Sequence, residues 1–353
     1  MSLAFDHPWL GGLFDDPEAR AIWSAERELE RYLAFEAAWS RALGRTGRVD
    51  ADRAERAARA IERWERDPSA LRAGTATDGV PVPALVRALR RAAGDDADAV
   101  HAGSTSQDVM DSALAATLRE CSDLLEARIG ALAGALDALG ERFGQTPLTG
   151  RTRMQAARPV TARVRIDAWA APWPRHLERL AALRPRVEVL QLGGAAGDRA
   201  PFAADARAIE AELATALGLA PAPPWHTVRD GIAEYAGLLS MVAGGCGRIG
   251  QDVALMAQQG LDEVVLGGGG ASSAMPHKRN PIRAELLVTL ARHATTQLPA
   301  LHHALVHEQE RSGIAWALEW MALPPLAVTA CRALAVATAL VEDVRRIGVA
   351  RTG

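Results

Sequence analysis

Apolar side chains recur along this chain at helical spacing. Ile232, Tyr235, Leu239, Val242, Cys246, Ile249, Val253 and Met256 are separated alternately by three and four positions. That is the 3.5-residue repeat of a seam in a left-handed helix bundle. Leu114, Leu118, Cys121, Leu125, Ile129, Leu132, Leu136 and Leu139 trace a second stripe. At 1.5 Å per residue each predicts a helix of roughly 35–40 Å. Such lengths exceed the needs of a small core and suit an extended bundle packed against partner subunits. Further long helices are expected over 159–190, bent near Pro172 and Pro174, over 281–310, and over 313–347, broken or kinked at Pro324-Pro325. Strand-type alternation is scarce. The predicted fold is therefore all-α, a long five-helix bundle with a smaller helical unit before it.

That smaller unit covers residues 1–100, with an amphipathic helix over 26–43, a charged helix over 51–66 and a loop over 74–83. Residues 101–347 form the long-helix domain. Gly244, Gly245, Gly247 and Gly250 fall inside one predicted long helix. Each costs about 1 kcal/mol relative to alanine there, which makes sense where another backbone approaches closely; tolerance inside a well-packed bundle is the plainer reading.

Composition narrows the class. Net charge is −3 and the aromatic share only 5%, so neither a nucleic-acid nor a membrane-surface footprint is expected. Cys121, Cys246 and Cys331 are odd in number and widely spaced, which predicts a reducing, cytoplasmic setting without a disulfide framework. The opening residues carry no basic stretch leading into an apolar run, and no run of 18 uncharged apolar residues occurs. Neither a secretion signal nor a membrane span is expected.

The most telling compositional fact is local. The chain holds a single lysine, Lys278, and a single asparagine, Asn280; every other cation is an arginine. Both fall in the segment Gly267-Gly268-Gly269-Gly270-Ala271-Ser272-Ser273-Ala274-Met275-Pro276-His277-Lys278-Arg279-Asn280-Pro281. An ammonium is a compact point charge where a guanidinium is a planar fork, and a site built for the first does not accept the second. Asn280 and Pro281 predict a helix N-cap and first turn, an end that favours anions. Four glycines before Ser272 and Ser273 predict a loop able to close over a ligand. A serine becomes a useful acid or base when an ammonium and backbone N–H groups stabilise its alkoxide.

Two more polar segments interrupt the helices. His101-Ala102-Gly103-Ser104-Thr105-Ser106-Gln107-Asp108 offers ordinary helix capping or a hydroxyl cluster that grips a carboxylate, with His101 adjusting protonation. Gly150-Arg151-Thr152-Arg153-Met154-Gln155-Ala156-Ala157-Arg158-Pro159 is a solvated basic loop or a polyanion grip before a proline-led helix. His302, His303 and His307 do not form HExxH, and no metal site is expected. Gly193-Gly194-Ala195-Ala196-Gly197 follows a helix rather than a strand and reads as a turn.

Together, the three polar segments resemble the fumarase/aspartase superfamily. Residues 272–281 match its signature loop, Thr105-Ser106-Gln107-Asp108 its first motif, and Arg151-Thr152-xx-Gln155-xxx-Pro159 its second. Within the superfamily, Pro224-Trp225-His226-Thr227-Val228-Arg229-Asp230, Gln191-Leu192-Gly193-Gly194-Ala195-Ala196-Gly197 and His307-Glu308-Gln309-Glu310-Arg311, followed by Trp316, Glu319 and Trp320, resemble the cycloisomerase branch. The resemblance implies a mostly helical homotetramer with a twenty-helix core and active sites assembled from three subunits. It implies a small tricarboxylate substrate, no cofactor, and β-elimination chemistry or its reverse. Ser272 is then the proton donor and acceptor, and Lys278 with loop amides stabilises the alkoxide and the enediolate, assisted by His101. Asn280, Thr105, Ser106, Thr152 and Gln155 hold carboxylates, Arg153, Arg279 and Arg311 supply charge, and Ser273 and Met275 complete the substrate contacts. Arg153 stands where many family lyases carry a histidine. Most of the family's small C-terminal domain is expected to be missing. A fumarate-releasing lyase and a non-catalytic helical tetramer are the alternatives.

Overall fold

The computed structural model describes residues 4–271, 275 and 278–348. Six helices come first: α1 (Gly11–Phe14), α2 (Pro17–Ile22), α3 (Ala25–Arg45), α4 (Ala51–Glu62), α5 (Pro68–Asp78) and α6 (Val82–Ala93). Ser24 caps α3 and Asp50 caps α4 by accepting from backbone N–H groups three residues on, as short polar side chains do. The loop expected over 74–83 is confined to the turn between α5 and α6. Asp67 caps α5 with Pro68 at its first position, and Pro81 and Val82-Pro83 open α6. Proline in a first turn forfeits only an N–H that has no helical partner.

The long helices follow. α7 (Ser106–Phe143) carries the leucine stripe. Seven of its eight stripe positions, from Leu118 to Leu139, are buried, and Leu114 is partly so. Where a proline-led helix was expected from 159, a hairpin stands instead: β1 (Pro147–Thr152) pairs antiparallel with β2 (Gln155–Thr161). The helical stretch then begins at α8 (Ala162–Ala170), breaks at Ala171, and continues as α9 (Pro172–Val187). α10 (Ala206–Leu217) precedes α11 (Asp230–Met256), on which all eight seam residues are buried.

β3 (Val264–Leu266), β4 (Gly270–Ala271) and β5 (Arg279–Asn280) lead to α12 (Ile282–His303), α13 (Gly313–Glu342) and β6 (Val344–Ile347). β3 pairs with β6, and β4 with β5 through Gly270–Asn280 and Ala271–Arg279. Asn280 therefore lies in a strand, Pro281 occupies the cap position of α12, and no side chain caps that end. α13 runs unbroken through Pro324 and Pro325. The two prolines lack the N–H donors that would serve the carbonyls of Trp320 and Met321, and both of those residues are exposed, Met321 at 75%. α13 is long and apolar enough to cross a membrane, yet 67% of its most apolar window is buried inside the fold, as befits a core helix.

α7, α9, α11, α12 and α13 share the larger apolar cluster. α3, α4, α6, α10 and the start of α7 share the smaller one, joined by Trp316 from α13. The glycines of α11 let α12 approach. A Cβ on Gly250 would lie 2.5 Å from the Ala284 carbonyl oxygen and 2.6 Å from Leu287 Cβ, and one on Gly247 2.4 Å from Ala291 Cβ. Gly245 faces Trp173, and Gly244 faces open space.

Candidate active site

The first polar segment closes onto itself at the start of α7. Thr105 is extended at the cap position (φ −132°, ψ 160°), and its N–H donates to Asp108 Oδ2 at 3.1 Å. Asp108 is fully buried and accepts four further hydrogen bonds: Gly193 N–H at 2.7 Å, Gly194 N–H at 3.0 Å, His226 Nε2 at 3.2 Å and Ser104 Oγ at 3.5 Å. An ionised carboxylate can only accept, so in this contact Nε2 of His226 is the donor. The segment over 193–197 is the expected turn, with Gly194 and Gly197 at positive φ.

Arg311 reaches this cluster from the stretch before α13. Its Nε donates to Gln107 Oε1 at 3.1 Å, and its Nη2 to Thr105 Oγ1 at 2.9 Å and to the Ala195 carbonyl at 3.1 Å. All three acceptors are neutral. Among the described residues no carboxylate is ion-paired with Arg311, so its charge is oriented without being neutralised. The Gln107 amide is fixed from both sides, because its Nε2 donates to Asp111 Oδ2 at 3.0 Å and to the His226 carbonyl at 2.9 Å.

Beneath lies a buried ion network. Arg229 donates to Asp111 Oδ2 at 2.7 Å and to Glu319 Oε1 at 2.9 Å, and Trp316 Nε1 donates to Asp111 Oδ1 at 3.2 Å. Arg229, Asp111 and Glu319 are each no more than 3% exposed. Burial disfavours the guanidinium, but the two carboxylates outweigh it and hold the Arg229 pKa above its ordinary value. Its guanidinium also stacks over the Trp225 ring at 4.7 Å.

His101 lies on the turn before α7 at φ 59°. Its Nδ1 is 2.6 Å from Oε1 of Glu36, a fully buried carboxylate on α3. Burial works to lower the imidazole pKa, and the charge and hydrogen bond of Glu36 overcome it, leaving the pKa raised. His101 is thereby biased toward the imidazolium, a proton source beside the first segment.

The other two segments stand elsewhere. Thr152, Arg153, Met154 and Gln155 form the exposed tip of the β1–β2 hairpin. Arg153 and Met154 take φ of 48° and 67° in its two-residue turn, a conformation that Asn-Gly would adopt with less strain. Ser272, Ser273 and His277 lie outside the described residues. Lys278 is exposed, its N–H donating to the Met275 carbonyl at 3.0 Å, and Arg279 and Asn280 form β5. Among the described residues, no hydrogen bond or ion pair joins the hairpin tip or β5 to Thr105 or Arg311. One chain thus brings together Thr105, Ser106 and Arg311, with His101 on the adjoining turn.

Glu36, Asp108 and His226 were not among the site residues expected from sequence. Asp108 was read only as a helix-capping residue, a role the capping box at Thr105 bears out, and His226 belonged to a recognised motif without a role. Glu36 had a readable signal, a carboxylate between Phe35 and Ala37 on the apolar face of an amphipathic helix. α12 ends at His303, so His303 and His307 do not share one helix face.

The family profile described as lyase matches residues 14–295, and the chain belongs to that family. A 3-carboxy-cis,cis-muconate cycloisomerase of Pseudomonas aeruginosa is 43% identical over 331 residues, spanning 92% of this chain and 72% of that protein. The crystal structure of 3-carboxy-cis,cis-muconate lactonizing enzyme from Pseudomonas putida superposes with a TM-score of 0.90 at 37% identity, covering 96% of this chain and 78% of that one. A fumarate lyase from Mesorhizobium sp. BNC1 superposes with a TM-score of 0.88 at 31% identity, covering 95% and 76%.

Proposed function

We propose that this protein is an isomerase that closes 3-carboxy-cis,cis-muconate to its lactone without a cofactor. The observation that carries the reading is Arg311, a guanidinium held in place by three neutral acceptors with its charge left for an anion. A substrate with three carboxylates calls for such groups, and relatives named for this reaction match nearly the whole chain. The same chemistry fits aromatic-acid breakdown in the cytoplasm.

In the reaction, a carboxylate oxygen of the substrate adds to the distal carbon of a conjugated double bond. The π electrons move toward a second carboxylate, giving an enediolate, and a proton then joins the carbon α to that carboxylate. Stabilising the enediolate is the principal demand on the site. Ser272 delivers the proton, and Lys278 with neighbouring backbone amides stabilises its alkoxide and the intermediate. Arg311, Thr105 and Ser106 hold one carboxylate. Thr152, Gln155 and Asn280 hold the others, Arg153 and Arg279 supply charge, Ser273 and Met275 complete the substrate contacts, and His101 assists.

The reading also includes assembly. Thr105 and Arg311 meet within one chain, whereas the hairpin tip and β5 stand apart from them, which supports sites completed by other copies in a homotetramer. The exposed hairpin is suited to reach into a neighbour. The long helices form the five-helix core of that assembly, residues 1–100 the smaller domain, and residues 101–347 the central one.

Product analysis by NMR after incubation with 3-carboxy-cis,cis-muconate tests the reaction. Lactone as sole product is expected; an unchanged diene together with fumarate release from succinyl adducts would replace this reading with the lyase alternative.

A further inference from the structure

Two recognised segments have no part in the chemistry above, 191–197 and 224–230, and they meet under Arg311. The imidazole of His226 is 4% exposed and lies against the glycine turn. A Cβ on Gly193 would sit 2.7 Å from His226 Cε1, and one on Gly197 3.5 Å from His226 Nδ1. The same ring donates from Nε2 to Asp108, which also takes the N–H groups of Gly193 and Gly194. The turn is thus gripped from two sides, and its Ala195 carbonyl is one of the three acceptors of Arg311. The His226 backbone carbonyl fixes the amide of Gln107, a second of those acceptors. His226 Nδ1 is buried and has no hydrogen-bond partner among the described residues.

We infer that His226 is a positioning residue: through Asp108 and the glycine turn it sets the placement of the Arg311 guanidinium, and with it the affinity of the site for a substrate carboxylate. This rests on the reading of Arg311 as the anion anchor. The imidazole is a rigid spacer of fixed thickness with a donor at one edge. An aliphatic side chain of similar size fills the space but leaves Asp108 with one fewer donor, and the turn can then shift. Glutamine returns an N–H at about the reach of Nε2.

The test is calorimetric binding of tricarballylate, a simple tricarboxylate, to the full-length protein and to His226→Leu, His226→Gln, Arg311→Gln and the His226→Leu/Arg311→Gln double variant. His226→Leu is expected to weaken binding at least about 10-fold with Arg311 present and less than about 2-fold with Arg311 replaced, the non-additivity of residues acting through one another. His226→Gln is expected to restore binding to within about 3-fold of the parent. In turnover of the muconate, the change should fall on KM, with kcat held within about 3-fold. If Arg311→Gln weakens binding and His226→Leu does not, the inference fails and the anion anchor stands. Equal weakening in both backgrounds also overturns it. If Arg311→Gln binds like the parent, the anchor reading falls and the inference with it. Should His226→Leu not fold, the His226→Gln result decides: binding weakened more than about 3-fold overturns the claim.

Discussion

Arg311 Nη2 donates to Thr105 Oγ1 across 2.9 Å, although 206 positions separate them in the chain. The contact ties the stretch before α13 to the cap of α7 and aims a charged group at the first motif. Thr105→Val keeps the shape and removes the acceptor. One neutral hydrogen bond is worth about 1 kcal/mol, so tricarboxylate affinity should fall roughly 3–10-fold, with a modest drop in melting temperature because Thr105 also caps α7. Unaltered affinity would show that Thr105 does not help to orient Arg311.

The His101–Glu36 pair should be visible in the pH dependence of stability. The folded-state pKa of His101 is raised by Glu36, so its contribution is fully present below the unfolded histidine pKa of about 6.5. That contribution is lost as pH rises through the folded value. Glu36→Gln should therefore cost most stability at pH 5.5–6.5 and least at alkaline pH, read from denaturant unfolding across the range. Parallel stability curves for parent and variant would mean that His101 is not charged in the fold.

Arg229 serves two buried carboxylates, Asp111 and Glu319. Arg229→Met leaves both without their cation, a loss of about 3–5 kcal/mol where one partner of a buried pair is removed. The denaturant midpoint should drop with little change in slope. A loss below about 1 kcal/mol would mean that water or rearrangement replaces the guanidinium.

Two glycines of α11 should respond oppositely to alanine. Gly244 has nothing within 4 Å of a would-be Cβ, so Gly244→Ala gains helix propensity, up to about 1 kcal/mol. Gly250 meets the backbone of α12 at 2.5 Å, and Gly250→Ala should destabilise by about 1–3 kcal/mol through overpacking. Calorimetric melting of both variants checks the sign. A rise for Gly250→Ala would contradict the close approach of α11 and α12.

Much of the helical core was legible because its signal is periodic and long. The α11 seam needs only a 3.5-residue repeat to be read, and every position in it is buried. The β1–β2 hairpin was not legible. Its turn is Arg153-Met154 rather than Asn-Gly, and its strands show no regular apolar–polar alternation, with Leu148 their one fully buried position. Pro324-Pro325 reads as a break, but α13 continues through it, with Trp320 and Met321 one turn earlier on the exposed side of the helix. Of the site, the motifs were readable and the convergence was not. Nothing in spacing reveals that Arg311 meets Thr105, or that His226 lies beneath Gly193, since both contacts depend on how the stretches before α11 and α13 return to the start of α7.

The central claim is tested most directly by mixing the protein with 3-carboxy-cis,cis-muconate and following the conjugated-diene absorbance, in parallel with Ser272→Ala and Lys278→Arg. The account predicts rapid loss of absorbance with the parent. It predicts a rate at least about 100-fold lower for Ser272→Ala, the usual scale of a general acid–base contribution. Lys278→Arg should be strongly impaired although its charge is kept. A stable absorbance with folded parent protein, or near-parental rates in both variants, would contradict it.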